Sequence, residues 1–125
     1  MPVKSVLVVD DNQLVREALC ELTREGDFEV CGEAENGQEA IEMAQLLRPE
    51  LIVTDLSMPV MNGLEETRAL KKLTPAVPVI IFTSHSDPFV EKEARAAGVS
   101  AVVSKSQAVA VLIAKARSLL DQIAA

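Results

Sequence analysis

Short apolar runs and helix-spaced apolar positions alternate five times along the chain. Val6-Leu7-Val8-Val9 is rich in β-branched residues and predicts a buried strand. Leu14, Val15, Ala18, Leu19 and Leu22 then recur at helical spacing until Gly26, a natural helix stop. Phe28 to Ala34 reads as a second strand. Asn36 and Glu39 form a capping-box pattern that opens a helix through Ala40, Ile41, Ala44 and Leu47, ended by Pro49. Leu51-Ile52-Val53-Thr54 predicts the third strand. After a loop with Pro59 and Gly63, Asn62 and Glu65 repeat the capping pattern before a helix to Leu73. Val77 to Phe82 predicts the fourth strand. Asp87-Pro88 sets an N-cap with proline in the first helical position, and that helix stops at Gly98. Ala101-Val102-Val103 is a short fifth strand, and Val109, Leu112, Ile113, Ala116, Leu120 and Ile123 mark one face of a last helix.

Strands that are apolar on both parities belong to a parallel sheet covered by helices on both faces. Right-handed crossovers then narrow the topology to a doubly wound α/β fold with five strands and five helices. Neither a linker nor a low-complexity segment interrupts the rhythm, so residues 1–125 are expected to form one domain. That length allows a proper core. Hydrophobic residues make up 49% and aromatic residues 2%, so the core has to be aliphatic.

Charge sharpens the picture. The net charge of −7 disfavours direct contact with nucleic acid or an anionic membrane surface. No apolar run approaches the roughly 20 residues needed to span a bilayer. The first residues run into a strand without a signal-peptide core. Cys20 and Cys31 make no CxxC pattern and read as reduced thiols. A cytoplasmic location is expected.

In open α/β sheets the ligand sits beyond the carboxyl ends of the strands. The first strand ends in Asp10 and Asp11, the third in Asp55 and the fourth in Thr83, and Lys105 follows the fifth. Three carboxylates, a hydroxyl and an ammonium would thus share one edge. Close carboxylates repel and call for a cation. An all-oxygen set suits Mg²⁺, which favours phosphate oxygens. A carboxylate can itself act as nucleophile and take up a phosphoryl group. Taken singly, each residue has a plainer reading. Asp10, Asp11 or Asn12 could cap the first helix; Thr83 could be an ordinary strand residue and Lys105 a solvated lysine. Their value lies in their shared position. His85 is the only histidine, which excludes a multi-histidine metal site within the chain. The stretch from Gly32 to Gly37 spaces glycines like a phosphate loop but lacks the Lys-Ser/Thr that would follow.

The Asp10-Asp11 pair, the segment from Asp55 through Leu56, Ser57, Met58 and Pro59 to Gly63, the Thr83-Ser84 pair and Lys105 resemble, over nearly the whole chain, the response-regulator receiver domains of two-component systems. That resemblance implies a flavodoxin-like strand order of 2-1-3-4-5. It implies that Asp55 is the phosphoacceptor. Asp11 and Asp55 would ligate Mg²⁺ through their side chains, Asp10 through a bound water and Ser57 through its backbone carbonyl. Thr83 and Lys105 would hold the phosphoryl group, with Ser84 leaving access and with Ser57 and His85 flanking it. The implied donor is a sensor histidine kinase or a histidine phosphotransfer protein. The implied output face, and a candidate homodimer face, is made by the fourth helix, fifth strand and fifth helix. Such a domain catalyses only its own phosphorylation and dephosphorylation. The first half of the chain is similar to receivers of the NarL/FixJ branch, which carry a C-terminal DNA-binding domain; the sequence is then either a fragment of such a regulator or a stand-alone receiver.

Two positions depart from the family pattern. Val102 stands where many receivers have an aromatic residue, and Ser106 where many have proline. Val102 leaves no ring to swing inward as Thr83 moves. Two other readings compete. A haloacid-dehalogenase-like phosphatase would want Asp-x-Asp at the nucleophile, and here Leu56 and Ser57 follow Asp55. A pseudo-receiver, binding partners without phosphorylation, usually lacks an acidic or lysine position, and none is missing.

Overall fold

The continuous apolar strands do what their composition requires: they lie side by side and are covered on both faces. The computed structural model describes residues 3–21, 27–84 and 87–124, with side chains as far as Asp121. Five parallel strands, β1 (Lys4–Val9), β2 (Phe28–Ala34), β3 (Leu51–Thr54), β4 (Val79–Thr83) and β5 (Ala101–Ser104), stand in the order β2-β1-β3-β4-β5. Five helices connect and follow them: α1 (Gln13–Leu19), α2 (Gly37–Leu47), α3 (Gly63–Leu73), α4 (Pro88–Ala97) and α5 (Val109–Ala124). This is the doubly wound, flavodoxin-like architecture expected from the sequence. Among the described residues, no helix is long and apolar enough to cross a membrane.

Alternate residues of each strand face opposite layers. Val6, Val8, Leu51, Val53, Ile80 and Phe82 pack under α1 and α5 with Leu19, Leu112 and Ala116. Leu7, Val9, Ile52, Val79 and Ile81 pack under α2, α3 and α4 with Ala40, Ala44, Leu70 and Ala94. The register pairs Val9 with Thr54 and Thr83 with Ser104, which brings the carboxyl ends of the strands level. β1 and β2 slip by one residue between Val6–Val30 and Leu7–Gly32, so Cys31 sits at a bulge.

The caps explain the helix starts. Asn12 accepts from the Leu14 and Val15 N–H groups, so it, and not Asp10 or Asp11, caps α1. Asn36 accepts from Glu39 N–H at 2.8 Å, one half of the expected box, whereas Asn62 and Glu65 form both halves. Asp87 accepts from Val90 N–H, Pro88 opens α4, and Gly98 closes it at a φ of 108°.

Several boundaries differ from expectation; β1 begins at Lys4, ahead of Val6, and β4 runs on to Thr83. α1 ends at Leu19, with Cys20 and Glu21 in a 3₁₀ turn; Leu22 and Gly26 lie outside the described residues. Its buried side is also rotated: Arg16 and Leu19 are covered, while Leu14 and Ala18 face solvent. β4 begins at Val79 and not at Val77, because Pro78 has no N–H to give the ladder and offers only its carbonyl, to Ile52 N–H at 3.1 Å. β5 extends one residue further, to Ser104.

Candidate functional site

The carboxyl edge of the sheet is braced by backbone bonds that continue just beyond the strands. Asp10 N–H donates to the Ala34 carbonyl, Asp55 N–H to that of Val9, and Lys105 N–H to that of Thr83. These bonds carry the ladder one residue past the ends of β1, β3 and β5. They hold Asp10, Asp55 and Lys105 side by side.

Asp10, Asp11 and Asp55 each offer a carboxylate oxygen, and these oxygens lie within 4.8 Å of one another. Asp10 and Asp55 are buried and Asp11 is exposed. Lys105 reaches between the two buried acids, with Nζ 2.8 Å from Asp10 Oδ2 and 3.3 Å from Asp55 Oδ1. Asp55 Oδ1 also accepts from Leu56 N–H at 2.8 Å, and Asp10 Oδ1 from Asn12 N–H at 2.9 Å. Burial and then the negative charge of Asp10 raise the Asp55 carboxyl above its usual range, against the opposing pull of Lys105 and Leu56 N–H. Burial works to lower the Lys105 ammonium, but the bond to Asp10 and the charges of Asp55 and Asp10 outweigh it, and the net shift is upward. The donors are hard oxygens, two of them desolvated, with more negative charge than one ammonium can balance. That set fits a small divalent cation such as Mg²⁺.

The other predicted residues surround this group. Thr83 is fully buried at the end of β4. Ser57 and Ser84 are exposed, two residues after Asp55 and one after Thr83. His85 lies outside the described residues. Val102, where no ring is available, is half-buried against the layer under α2–α4.

Arg16 and Glu66 were not anticipated in this neighbourhood, and Gly63, expected as part of the acceptor segment, has a closer role than spacing showed. Arg16 is buried beneath Asp10: Nη1 donates to the Asp10 carbonyl at 2.7 Å, and Nε lies 3.3 Å from Glu33 Oε1. Gly63 opens α3 so close to the acceptor strand that a Cβ there would fall on the carbonyl oxygen of Asp55. Glu66 is fully buried, with Oε1 2.7 Å from Thr54 Oγ1. Spacing contained a signal for the last, since Glu66 shares the helical stripe of Gly63, Thr67 and Leu70, all buried.

The family model for the response regulator receiver domain matches residues 6–117. The chain is 42% identical over 82 residues to a protein-glutamate methylesterase/protein-glutamine glutaminase of Clostridium acetobutylicum, covering 65% of this chain and 24% of that protein. It is 37% identical to chemotaxis protein CheY of Halobacterium salinarum, covering 82% of this chain and 84% of that one. Its structure superposes on the signal receiver domain of the putative response regulator NarL of Mycobacterium tuberculosis with a TM-score of 0.88, at 25% identity and 98% coverage of both chains. The chain spans about a quarter of the methylesterase's length. Buried acids at the ends of β1 and β3, a lysine after β5, the sheet order and these likenesses agree: the chain belongs to the response regulator receiver domain family of two-component signalling.

Proposed function

We propose that residues 1–125 form one receiver unit in which Asp55 accepts a phosphoryl group from a histidine kinase or a histidine phosphotransfer protein. The observation that carries this reading is the Lys105 ammonium shared between Asp10 and Asp55, with Asp11 completing a three-carboxylate cluster. Asp55 Oδ1 is held by Leu56 N–H and Lys105, which leaves Oδ2 to attack phosphorus. The new O–P bond forms as the bond from phosphorus to the donor nitrogen breaks, and the imidazole leaves with that electron pair. Asp11 and Asp55 side chains, the Ser57 carbonyl and Asp10 through water would hold Mg²⁺. Bound there, the ion would offset charge on the transferring group. Lys105 pairs with one phosphoryl oxygen, and the Thr83 hydroxyl donates to another.

The modification turns the Asp55 carboxylate into an acyl phosphate carrying roughly −1.5 to −2 charges, beside the buried Asp10 and the exposed Asp11. Drawing Thr83 and Lys105 towards that charge biases the segment between β4 and α4. The readout is then the surface of α4, β5 and α5, where a partner protein or a second copy would dock. The acidic chain does not itself bind nucleic acid, and its reduced thiols suit the cytoplasm.

Intact-mass spectrometry after incubation with Mg²⁺ and acetyl phosphate tests the reading. One added phosphoryl group, lost in Asp55→Asn, is expected. A folded protein that takes none from any donor, or a variant that keeps a stable label, overturns it.

A further inference from the structure

Beside Asp55 runs a second polar chain that the acceptor chemistry does not use. Thr54 Oγ1 lies 2.7 Å from Glu66 Oε1 and 3.1 Å from the carbonyl oxygen of Asp55. A hydroxyl has one hydrogen. If Glu66 is a carboxylate, that hydrogen goes to the nearer, charged oxygen and the Asp55 carbonyl loses its donor. If Glu66 is a neutral acid, its own hydrogen goes to Thr54 and the Thr54 hydrogen is free for Asp55. The surroundings favour the neutral acid. Glu66 is fully buried, and among the described residues its Oε2 has no hydrogen-bond partner, an arrangement far costlier for a carboxylate than for an acid. Burial pushes its carboxyl up to about 8, opposed only by the Thr54 hydroxyl. The charged groups on neighbouring elements, Glu39 of α2, Glu91 and Glu93 of α4, Lys71 of α3 itself and Asp55 beyond β3, take no part in that shift.

The chain ends on the peptide that holds the acceptor. The Asp55 carbonyl and the Leu56 N–H belong to one planar peptide unit, and that N–H donates to Asp55 Oδ1 at 2.8 Å. Whatever fixes the carbonyl fixes the direction of the N–H. On the far side Gly63 N–H donates to the Leu56 carbonyl at 2.8 Å, so the segment is clamped from α3 at both ends.

We infer that Glu66 is a positioning residue for the acceptor: as a neutral acid it donates to Thr54, Thr54 donates to the Asp55 carbonyl, and the 55–56 peptide is thereby set to hold Asp55 Oδ1. This rests on the reading of Asp55 as phosphoacceptor for its consequence in rate, but not for the positioning itself. Glu66→Gln keeps an N–H donor in the same place and cannot ionise. Glu66→Met and Thr54→Val remove the donor while keeping the volume.

The experiment has two readouts on the full chain. The first is the rate of Asp55 phosphorylation by acetyl phosphate with Mg²⁺ between pH 6.5 and pH 9.5. Glu66→Gln is expected within about twofold of the parent near neutrality, and Glu66→Met and Thr54→Val about five- to tenfold slower, the size expected for one lost buried hydrogen bond. The parent rate should fall as pH passes about 8, and the Glu66→Gln rate should not. The second is the Leu56 amide nitrogen shift in unphosphorylated protein, which should titrate near pH 8 in the parent and stay flat in Glu66→Gln. Equal rates for the Gln and Met variants, or a Leu56 shift that ignores Glu66, overturn the inference. A parent that takes no phosphoryl group sinks the acceptor reading alone, and the Leu56 titration still decides the positioning.

Discussion

The two faces of the sheet are built from different materials. Under α1 and α5 lie Val6, Val8, Phe28, Leu51, Val53, Ile80, Phe82 and Leu112, a layer of large apolar side chains that includes both buried phenylalanines. Under α2, α3 and α4 the apolar residues are smaller, with Ala34, Ala40, Ala44 and Ala94 prominent. The strand parity that faces this second layer ends in Thr54 and Thr83, and α3 adds Glu66 and Thr67, all four buried. Thr67 donates to the Gly63 carbonyl at 2.7 Å, and Thr54 meets Glu66. The centre of the first face is held by apolar packing, with the buried Arg16 bonded to the Asp10 carbonyl at its edge. The second depends on hydrogen-bond direction and on a proton, so charge at the carboxyl edge can act on it. A switch triggered by a phosphoryl group belongs on the second face, where Thr83 and the peptide after Asp55 both lie.

The largest expected effect tests the apolar side. Phe28→Ala should lower unfolding free energy by about 3–5 kcal/mol through lost burial and a cavity. Because Phe28 itself packs among apolar side chains, the loss measured by urea unfolding should be the same at pH 6 and pH 9. A loss that changes with pH would break the distinction between the faces.

Glu66→Gln tests the polar side and has the opposite sign. The Glu66 carboxyl is raised in the native state from its ordinary 4.5 to about 8. Below pH 4.5 native and unfolded chains both hold the proton. Between 4.5 and about 8 the unfolded chain releases it and the native state keeps it, so native stability falls as pH rises, and then levels. The deficit approaches a magnitude on the order of 5 kcal/mol. Glu66→Gln removes it: the variant should match the parent near pH 4.5 and exceed it by a few kcal/mol at pH 8.5. Parallel stability curves for the two proteins would place Glu66 in water, not in the core.

These two residues also mark how far the sequence could be read. Phe28 opens a strand that reads from the sequence as Phe28 to Ala34, and the structure adds its burial under α1 and α5. The edge of the sheet was equally legible: Asp10, Asp55, Thr83 and Lys105 stand at strand ends, and a parallel sheet must bring such ends together. Glu66 was not, because a glutamate in the first turns of a helix ordinarily faces solvent. Period alone places it beside Thr67 and Leu70 without saying that a threonine of β3 waits to bond it. Arg16 hides for the same reason, since its partners are a backbone carbonyl and two acids from other elements. The end of α1 at Leu19 follows no stop residue, and Leu14 and Ala18 are left exposed although they share the apolar period.

Gly63→Ala probes the joint between the polar face and the acceptor. A Cβ there falls on the Asp55 carbonyl, the same atom that Thr54 holds, and also crowds the backbone of Leu56. Backbone cannot step aside as a flexible side chain can, so α3 and the 55–56 peptide have to separate. A loss of about 1–3 kcal/mol is expected, typical of overpacking. Phosphorylation by acetyl phosphate should slow as well, with the Leu56 amide shifted at every pH and not only above 8. A variant with the parent's rate would show that the position of this peptide does not matter to the acceptor.

The smallest effect separates rigidity of the acceptor loop from the proton on Glu66. Val60 adopts a φ of 70° while being β-branched and 80% exposed, and Met61 N–H closes a tight turn across it to the Pro59 carbonyl at 2.7 Å. The left-handed region disfavours an L-residue by roughly 1–2 kcal/mol. Glycine is free of that strain but loses about 0.5–1 kcal/mol more backbone entropy on folding. Val60→Gly should therefore stabilise the protein by about 1 kcal/mol or less, read as a rise in the urea midpoint at unchanged slope. Met61 also accepts from Gly37 N–H, so the loop keeps its tie to α2 in the variant. Since no titrating group takes part, the gain should be equal at pH 6 and pH 9. A gain that appears only at high pH would mean that strain at Val60 and ionisation of Glu66 act on the same backbone, and the loop would then belong to the polar face.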